Sequence, residues 1–398
     1  MTIDELLSRG VNEIIVESSL KEKLDSGRNL RVKYGIDPNK PDIHLGHAAP
    51  IRKLKAFQDL GHTAVFIIGD YTARIGDPSG KDKTRESVSL DDIKENAEKF
   101  FAQAFRILDK EKTEIHLQSE WFEKIDLEKI IGLMSKVSVA QIIEHETFKK
   151  RLEKQQSFML HEAIYPILQG YDSVAVKADI ELGGADQKFN LLMGRQIQKA
   201  YNQPQQDVMM MNYLIGLDGK EKMSKSLNNY IAINDIPEQM YGKVMSIPDD
   251  LILHYYELCT DVTMDALKLL KKELDSPAGE GKNPRDVKAE LAKVIVEMYY
   301  TAEDAEKAAG EFDKVFARRE TPTEMPILSM EMKSIRLDDL LLDCKLASSR
   351  AEAKRLIEQG GVEVSGKRIT DSYKTIQLQD EMIVRVGKRN FAKIKIKK

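Results

Sequence analysis

The strongest constraint on the fold is a strand–helix–strand pattern near the start of the sequence. Arg31–Ile36 is typical of a strand, and a loop bounded by prolines follows it. A helical pattern then runs from about His44 to Leu60, and the apolar run Ala64–Ile68 ends at Gly69. Because a helical crossover of this length joins parallel strands, the pattern predicts a βαβ unit and a parallel sheet.

A second pattern of the same kind lies further along the chain. Ile180–Leu182 leads into two glycines and a predicted helix from about Asp186 to Ala200, and Val208–Leu217 is a further predicted strand. The predicted fold is therefore α/β, with a doubly wound, Rossmann-like parallel sheet. Ligands of such sheets bind at the carboxyl ends of the strands.

The rest of the chain changes character. The pattern is helical from about Pro237 to Phe316, and Glu320–Pro326 has the composition of a linker. Beyond it, Ser349 and Glu352 form a capping-box pattern before a short helix, Ala351–Gln359, and β-type segments follow. We expect a catalytic domain at 1–230, an α-helical domain at 231–319, a linker at 320–333 and a small α+β domain at 334–398.

Composition excludes several classes of protein. Apolar runs reach only the length of a buried strand, far short of the ~18 residues of a membrane helix, and the N-terminal residues lack the pattern of a secretory signal. Cys259 and Cys344 lie far apart without a Cys-x-x-Cys motif, which argues against a disulfide scaffold and a thiolate zinc site. We expect a cytoplasmic globular protein with no membrane contact.

Charge is distributed unevenly along the chain. Residues 331–398 hold 16 Lys and Arg against 10 Asp and Glu, although the whole chain has a net charge of −4. A basic end on an acidic body suggests that this end contacts a polyanion. A solvated, lysine-rich terminus would show the same charge.

Two short motifs have the chemistry of a phosphate site. His44-Leu45-Gly46-His47 lies at the start of the first predicted helix, where free N–H groups attract phosphate. Lys222-Met223-Ser224-Lys225-Ser226 follows a glycine-containing turn, and its two lysines could close on a triphosphate. Taken singly, each has a plainer explanation: ordinary surface or core histidines, and a lysine-rich surface loop. No third ligand lies near the histidines, so we predict no protein-bound metal site.

Together, the two motifs resemble the two signatures of the class I aminoacyl-tRNA synthetases, with Leu45 in place of the more usual isoleucine. Their order, spacing and strand–loop–helix context also agree with that family. The resemblance implies that His44, His47, Lys222 and Lys225 are catalytic, and that ATP is a substrate with Mg²⁺ on its phosphates.

A third pattern bears on the amino acid. Tyr165, Gln169 and Asp172 lie at positions i, i+4 and i+7 of a predicted helix, so they share one face. A core helix with scattered polar positions is the alternative. The stretch resembles the tyrosine-binding helix of tyrosyl-tRNA synthetases. That resemblance implies that Tyr165 and Gln169 hold the substrate ammonium group and that Asp172 binds the phenol.

Other positions match the same family, although the Gly183-Gly184 loop alone could be a plain strand-to-helix turn. The implied nucleotide-site residues are Asp37, Gly46, Gly184, Asp186, Met223, Lys81 and Arg85. The implied tyrosine-site residues, besides the three on the helix, are Gly35, Asp77 and Gln187.

One position departs from the family pattern. Lys33 stands where the best-known branch has a tyrosine beside the substrate phenol, and Tyr34 follows it. Neighbouring side chains of a strand point to opposite faces. Either Tyr34 is not the phenol partner, or a bulge turns it toward the phenol.

The C-terminal segment resembles the αL RNA-binding motif of bacterial tyrosyl-tRNA synthetases. It implies RNA contacts by Arg350, Lys354, Arg355, Lys367 and Arg368. The resemblance further implies an anticodon-binding role for the helical domain, a connecting insertion and homodimer contact at about 115–146, and attachment of L-tyrosine to tRNA(Tyr). The alternatives are a tryptophanyl-tRNA synthetase, which shares the fold and both signatures, and a catalytically silent RNA-binding relative.

Overall fold

The computed structural model describes residues 2–79, 89–277, 281–316, 325–387 and 390–397. These residues fall into two compact units, Met1–Thr301 and Ala302–Lys398. Each unit has its own elements and its own buried core. Among the described residues, no helix has the length and apolar character that a membrane crossing needs.

A six-stranded sheet forms the centre of the first unit. Its strands are β1 (Val11–Ile15), β2 (Arg31–Ile36), β3 (Thr63–Ile68), β4 (Thr113–Leu117), β5 (Ile180–Gly184) and β6 (Asp207–Met211). The spatial order is β1-β6-β5-β2-β3-β4, and all neighbours are parallel except β1, which pairs antiparallel with β6. The predicted doubly wound parallel sheet is confirmed, with one antiparallel strand added at its edge. The chain reverses its winding direction between β2 and β5.

Fifteen helices belong to this unit within the described ranges. They are α1 (Ile3–Ser8), α2 (Glu17–Asp25), α3 (Leu45–Asp59), α4 (Thr72–Ile75), α5 (Leu90–Ala104), α6 (Ser119–Phe122), α7 (Leu127–Met134), α8 (Val139–Ile143), α9 (Glu146–Glu153), α10 (Leu160–Ala175), α11 (Lys188–Ala200), α12 (Pro237–Val244), α13 (Ile252–Cys259), α14 (Met264–Leu274) and α15 (Pro284–Tyr299).

The predicted βαβ unit corresponds to β2, α3 and β3. Residues 64–68 are buried without interruption because helices cover both faces of a parallel sheet. The crossover helix α3 buries Leu45, Ile51, Leu54 and Phe57, which recur at helical spacing. β4 includes residues 115–117, the first three of the segment that the sequence analysis assigned to the connecting insertion.

The predicted strand 208–217 is shorter in the structure. β6 ends at Met211, and the Asn212 N–H donates to Gly10 O. The following residues leave the sheet, and Ile215 pairs with Lys222 across a tight turn in which Gly219 has a φ of +74°. This turn presents the lysine motif at the carboxyl edge of the sheet.

The second unit contains three described helices, α16 (Ala302–Phe316), α17 (Leu337–Asp343) and α18 (Arg350–Glu358). Its strands are β7 (Ile327–Met330), β8 (Ser334–Arg336), β9 (Val362–Val364), β10 (Lys367–Ile369), β11 (Thr375–Gln377), β12 (Met382–Val386) and β13 (Asn390–Ile396). Five of them form a sheet in the order β10-β9-β12-β13-β7, and β11 pairs with β8. Apolar residues of α17, α18 and this sheet share one core.

The capping box predicted at α18 is only half present. Ser349 caps the helix by accepting a hydrogen bond from the Glu352 N–H. The Glu352 carboxylate does not return to Ser349; it accepts from the Ser348 N–H and hydroxyl instead. Ser348 offers two donors to the carboxylate where Ser349 would offer one, and a charged acceptor favours the larger number.

Candidate active site

The predicted site residues gather at the carboxyl edge of the sheet, where the winding reverses. Gly35 and Asp37 lie at the end of β2, and Gly184 and Asp186 lie at the end of β5, its neighbour. The loop that carries Lys222 and Lys225 follows β6, the next strand. Doubly wound sheets bind their ligands in the crevice that forms at this point.

The two signature motifs contact each other. His44 is the N-cap of α3, and its ring stacks on that of His47 with centroids 3.7 Å apart. A Cβ added to Gly46 would lie 3.0 Å from His44 Nδ1 and 3.5 Å from Met223 Cβ, so a side chain at position 46 would crowd the His44 ring and touch Met223 of the lysine motif. Leu45 N–H also donates to Ile231 O, just beyond the lysine motif.

Both histidines are held in the neutral form. Burial, together with Lys225 and Lys222, lowers the pKa of His44 to about 3. Burial and the neighbouring His44, Lys225 and Lys222 lower the pKa of His47 well below its usual value. The Nδ1 atoms of both rings are buried without a hydrogen-bond partner among the described residues. Neutral rings next to two lysines have the properties of hydrogen-bond donors to phosphate oxygens.

Lys222 and Lys225 occupy two sides of the crevice. Lys222 Nζ lies 2.7 Å from Asp186 Oδ2 and 4.7 Å from the ring centre of Tyr213. Lys225 Nζ donates to Lys40 O at 2.9 Å and lies over the ring of Phe100. Burial lowers the pKa of Lys225 to about 8, whereas a solvated lysine titrates near 10.5. The lysine motif thus places two cations at the edge where the sheet presents Asp186.

The loop has a defined conformation. Ser224 accepts a hydrogen bond from the Ser226 N–H and caps a single turn of 3₁₀ helix, Lys225–Leu227. The Ser224 N–H donates to Asn229 Oδ1 at 2.7 Å, and Asn229 Nδ2 donates to Lys222 O. Asn229, which the sequence analysis did not single out, therefore joins Lys222 to Ser224 within the motif.

The predicted polar face of α10 is confirmed as a face toward the sheet. The Tyr165 hydroxyl donates to Asp37 Oδ2 at 2.9 Å, and Gln169 Nε2 lies 3.5 Å from Glu181 Oε1. Asp172 is 2% exposed. The polar face of the helix therefore extends from Asp37, at the crevice, to the buried carboxylate of Asp172.

Two residues that the sequence analysis missed surround Asp172. Gln118 Nε2 donates to Asp172 Oδ2 at 2.7 Å, and Trp121 Nε1 donates to Oδ1 at 3.1 Å. Burial raises the pKa of Asp172 to about 7; Lys33 and these hydrogen bonds act in the opposite direction, and Glu181 adds to the rise. A carboxylate has about four acceptor positions, so capacity remains for a further donor. Trp121 is the only tryptophan of the chain, which was the one signal available from the sequence.

Asp77 and Gln187, which the resemblance assigns to the tyrosine site, are bonded to each other. Gln187 Nε2 donates to Asp77 Oδ2 at 2.8 Å, and the Ser79 N–H donates to the other carboxylate oxygen at 2.9 Å. Asn190, a further residue that the sequence analysis missed, donates to Gln187 Oε1 at 2.9 Å. Lys81 and Arg85 lie outside the described residues.

The position of Asp37 depends on a close approach at Gly69. Thr72 Oγ1 donates to Asp37 Oδ1 at 2.7 Å, which gives Asp37 a second partner besides Tyr165. A Cβ at position 69 would lie 2.2 Å from Asp37 Oδ1 and 2.3 Å from Thr72 Oγ1. Only glycine fits there without displacing Asp37.

The departure at positions 33 and 34 is resolved by a regular strand. β2 pairs with β3 residue by residue without a bulge, so the two side chains point to opposite faces. Tyr34 packs against Phe66, and burial raises the pKa of its hydroxyl well above its usual value. Lys33 points the other way, toward Gln169 and Ser173 of α10. Tyr34 therefore lies on the face opposite the helix that carries Asp172.

The basic residues predicted for RNA binding lie in the second unit. Arg350, Arg355, Lys367 and Arg368 are exposed. Arg350 forms an ion pair with Asp339 at 2.6 Å. The sequence analysis missed Tyr373, whose side chain is 64% exposed and lies within about 5 Å of both Lys354 Nζ and the Arg336 guanidinium.

Comparisons with known proteins show the family to which the chain belongs. The family described as tRNA synthetases class I (W and Y) matches residues 25–317, and the S4 domain matches residues 335–382. The chain belongs to the class I tRNA synthetases, in the group specific for tryptophan and tyrosine. Among its relatives are tyrosine–tRNA ligases of Thermotoga maritima, 46% identical over 98% of this chain and 96% of that protein, and of Carboxydothermus hydrogenoformans, 48% identical over 98% and 97%. Within the group, it is one of the tyrosine–tRNA ligases.

Solved structures show the same fold at low sequence identity. A tyrosyl-tRNA synthetase from Archaeoglobus fulgidus, complexed with L-tyrosine, has a TM-score of 0.61 at 22% identity and covers 78% of this chain and 100% of its own. A tryptophanyl-tRNA synthetase from Plasmodium falciparum has a TM-score of 0.55 at 16% identity over 74% and 80%. The fold is therefore shared by both specificities, and the tryptophanyl alternative is not favoured by the curated relatives, which are tyrosine–tRNA ligases.

Proposed function

We propose that this tyrosine–tRNA ligase works in two steps at the carboxyl edge of the sheet. The carboxylate of L-tyrosine attacks the α-phosphorus of ATP, which gives tyrosyl-adenylate and pyrophosphate. The tyrosyl group then passes to the 3′-terminal adenosine of tRNA(Tyr). The observation that carries the proposal is the contact between the two signature motifs beside Asp186.

Charge stabilisation and positioning supply the chemistry of the first step. The substrate carboxylate is already a nucleophile, so the step needs no general base. The roles proposed for His44 and His47 are to donate hydrogen bonds to phosphate oxygens from neutral rings. Lys222 and Lys225 would neutralise the charge that develops on the leaving pyrophosphate.

The nucleotide lies, in this proposal, between α3 and the end of β5. Gly46 leaves room for the nucleotide above the backbone of α3, Met223 closes the space beside it, and Gly184 and Asp186 bind the ribose. Lys222 already contacts Asp186, so one ion pair would join the ribose site to the phosphate site. Mg²⁺ enters on the ATP phosphates. Among the described residues, no group of three or more His, Cys, Asp or Glu is arranged to hold a metal ion.

Tyrosine would lie along α10. Tyr165, Gln169 and Asp77 hold the ammonium group, and Gln187 lies near the carboxyl group because it is bonded to Asp77. Gly35 is exposed on the same face of β2 as Lys33, so it leaves room for the substrate.

Asp172 is the proposed acceptor for the phenol. Phenylalanine would leave this buried carboxylate without its partner, a rule of selectivity for which tyrosine–tRNA ligases are themselves the standard illustration. Trp121 and Gln118 fix the carboxylate from the other side.

The second unit would bind RNA. Arg350, Lys354, Arg355, Lys367 and Arg368 supply positive charge to phosphates. Tyr373 adds an exposed aromatic surface between two cations, which suits contact with an unstacked base. Residues 231–319 are proposed to form the anticodon-binding part. The linker expected at 320–333 would end before β7, because Ile327–Met330 pairs with β13 of the C-terminal domain.

A homodimer is part of the proposal. Leu127 and Ile131, one turn apart on α7, are 74% and 58% exposed, and Val139 at the start of α8 is 76% exposed. Leu160, at the start of α10, is 75% exposed. Apolar side chains gathered in one segment mark an interaction surface, and we assign a second copy of this chain as its occupant. The cytoplasmic location expected from the sequence remains a prediction of the same proposal.

The test of the proposed function is transfer of labelled amino acid to RNA. The full chain, incubated with ATP and Mg²⁺, should attach tyrosine to purified tRNA(Tyr) and leave tRNA(Trp) uncharged with tryptophan. Charging of tRNA(Trp) with tryptophan would contradict the assignment. RNA binding without any charging would indicate the silent relative.

A further inference from the structure

A buried ion pair lies directly beneath the proposed tyrosine site. Lys33 Nζ and Glu181 Oε1 are 2.8 Å apart, and the two side chains are 0% and 2% exposed. The residues are register partners on the parallel strands β2 and β5. Both side chains point from the sheet toward α10, where the tyrosine-binding face lies.

The ammonium group of Lys33 is fully used by the protein. It donates to Gln169 O at 3.1 Å and to Ser173 Oγ at 2.8 Å, in addition to Glu181. A lysine has three protons to donate. No proton remains for a substrate phenol, so Lys33 does not take over the contact that a tyrosine at this position would make.

Glu181 binds the same helix through different atoms. Its Oε1 accepts from Gln169 Nε2 at 3.5 Å, and its Oε2 accepts from Ser173 Oγ at 3.2 Å and from Gln206 Nε2. Gln169 therefore makes two hydrogen bonds to the pair: its main-chain carbonyl accepts from Lys33, and its side-chain amide donates to Glu181.

The neighbouring helix α11 closes the cluster. A Cβ added to Gly194 would lie 2.5 Å from Gln206 Nε2, 2.9 Å from Ser173 Oγ and 3.1 Å from Glu181 Oε2. A side chain at position 194 would therefore displace the end of Gln206 and press on Ser173 and Glu181, so the cluster is closely packed on this side.

We propose that Lys33 and Glu181 are a positioning pair that orients Gln169 for the ammonium group of tyrosine. The inference rests on the role of Gln169 in the proposed function. A buried ion pair contributes little net stability, since removing two charges from water offsets their attraction. Positioning explains the pair better than stabilisation does, because its hydrogen bonds to the described part of α10 are made with Gln169 and Ser173.

The test compares three variants in tyrosine-dependent ATP–pyrophosphate exchange and in thermal unfolding. Lys33→Met and Glu181→Gln each leave one partner buried alone and will lower Tm. The double variant K33M/E181Q leaves no unpaired buried charge, so its Tm should return close to that of the wild type. Lys53→Met is the matched control, since Lys53 is a buried lysine that bonds to Leu6 O away from α10.

The expected result is a rise of about tenfold in the KM for tyrosine in all three site variants, with the KM for ATP within about twofold of the wild type. The double variant should keep this raised KM although its Tm is restored. K53M should lower Tm and leave the KM for tyrosine unchanged. A double variant with wild-type KM for tyrosine, or equal changes in the KM values for tyrosine and ATP, would overturn the inference.

A separate variant distinguishes this inference from the proposed function. Gln169→Ala should raise the KM for tyrosine at least as much as K33M/E181Q. If Q169A leaves that KM unchanged, the role proposed for Gln169 is wrong, and the inference fails with it. If Q169A raises it and K33M/E181Q does not, only the inference fails.

Discussion

The charge state of individual residues determines how this site can act. His44 and His47 are buried against each other and next to two lysines, so both rings are neutral throughout the physiological range of pH. Burial lowers the pKa of Lys225 to about 8, so this cation loses its proton more readily than a solvated lysine does. Beside the signature motifs, the group that titrates near working pH is therefore a lysine of the signature loop, and the histidines do not titrate there; Asp172, with a pKa of about 7, lies deeper, on α10.

A pH profile tests this assignment. Above pH 8, Lys225 loses its proton in the free enzyme and no longer neutralises phosphate charge. We expect kcat/KM for ATP to fall about tenfold per pH unit above about pH 8. In Lys225→Arg the charge persists, so the alkaline fall should disappear even if the rate is lower. An unchanged alkaline fall in K225R would assign it to another group.

Removal of the same side chain should separate chemistry from binding. Lys225→Ala should slow adenylate formation by about 10²-fold, because the lysine acts on charge that develops in the transition state. The KM for tyrosine should stay close to that of the wild type. Single-turnover measurement of adenylate formation checks both. Equal losses in rate and in tyrosine binding would show that the loop serves binding only.

Substitution of Asp172 tests how the site selects tyrosine over phenylalanine. Asp172→Asn should lower kcat/KM for tyrosine by roughly 10- to 100-fold, since a neutral amide replaces the carboxylate as the acceptor for the phenol. The activity with phenylalanine, which has no phenol to bind, should change little. Exchange assays with both amino acids give the ratio of the activity with tyrosine to the activity with phenylalanine. A ratio that stays at the wild-type value would assign phenol recognition elsewhere.

Sequence patterns could identify residues that lie inside a motif or share a helix face. His44, Lys222 and Tyr165 belong to such patterns, and the structure places them around one crevice. Gln118, Trp121 and Glu181 do not. Gln118 and Trp121 reach the site from the segment after β4, and Glu181 reaches it from β5. No local spacing indicates a contact that is made only when distant segments pack together.

At the level of elements, a strand that is buried on both faces was the most predictable feature. β2, α3 and β3 follow directly from apolar runs and a crossover of helical length. The end of β6 could not be predicted, because Tyr213–Ile215 are as apolar as the strand. Their position depends on the turn around Gly219 and on the pairing of Ile215 with Lys222.

Lys354 on α18 and the neighbouring Tyr373 allow a test of RNA binding by the second unit. Tyr373→Ala should weaken tRNA(Tyr) binding and leave tyrosine-dependent exchange unchanged, since the residue lies in the second unit. Tyr373→Phe keeps the ring and should bind nearly as well as the wild type. Lys354→Ala should also reduce the dependence of log affinity on log salt by slightly less than one, the release of one counterion. Filter binding at several salt concentrations measures both effects. Equal affinities for Y373A and Y373F would exclude a role for the ring.

For the whole molecule, the exposed apolar segment makes a prediction about assembly. A charge at Val139 would be buried in the interface that we assign to a second copy, so Val139→Asp should convert a dimer into a monomer. Leu269→Asp is the matched control, because Leu269 is 62% exposed on α14, outside that segment. Sedimentation at micromolar concentration distinguishes the two states. A wild-type monomer, or an unchanged V139D dimer, would contradict the assignment.

The most direct test of the central claim is amino-acid-dependent ATP–pyrophosphate exchange with each of the standard amino acids. We predict exchange with tyrosine, with phenylalanine far behind, and loss of that preference in D172N. Exchange with tryptophan in place of tyrosine would mean that the α10 face has been assigned to the wrong substrate. No exchange with any amino acid, in folded protein, would contradict the catalytic roles given to His44, His47, Lys222 and Lys225.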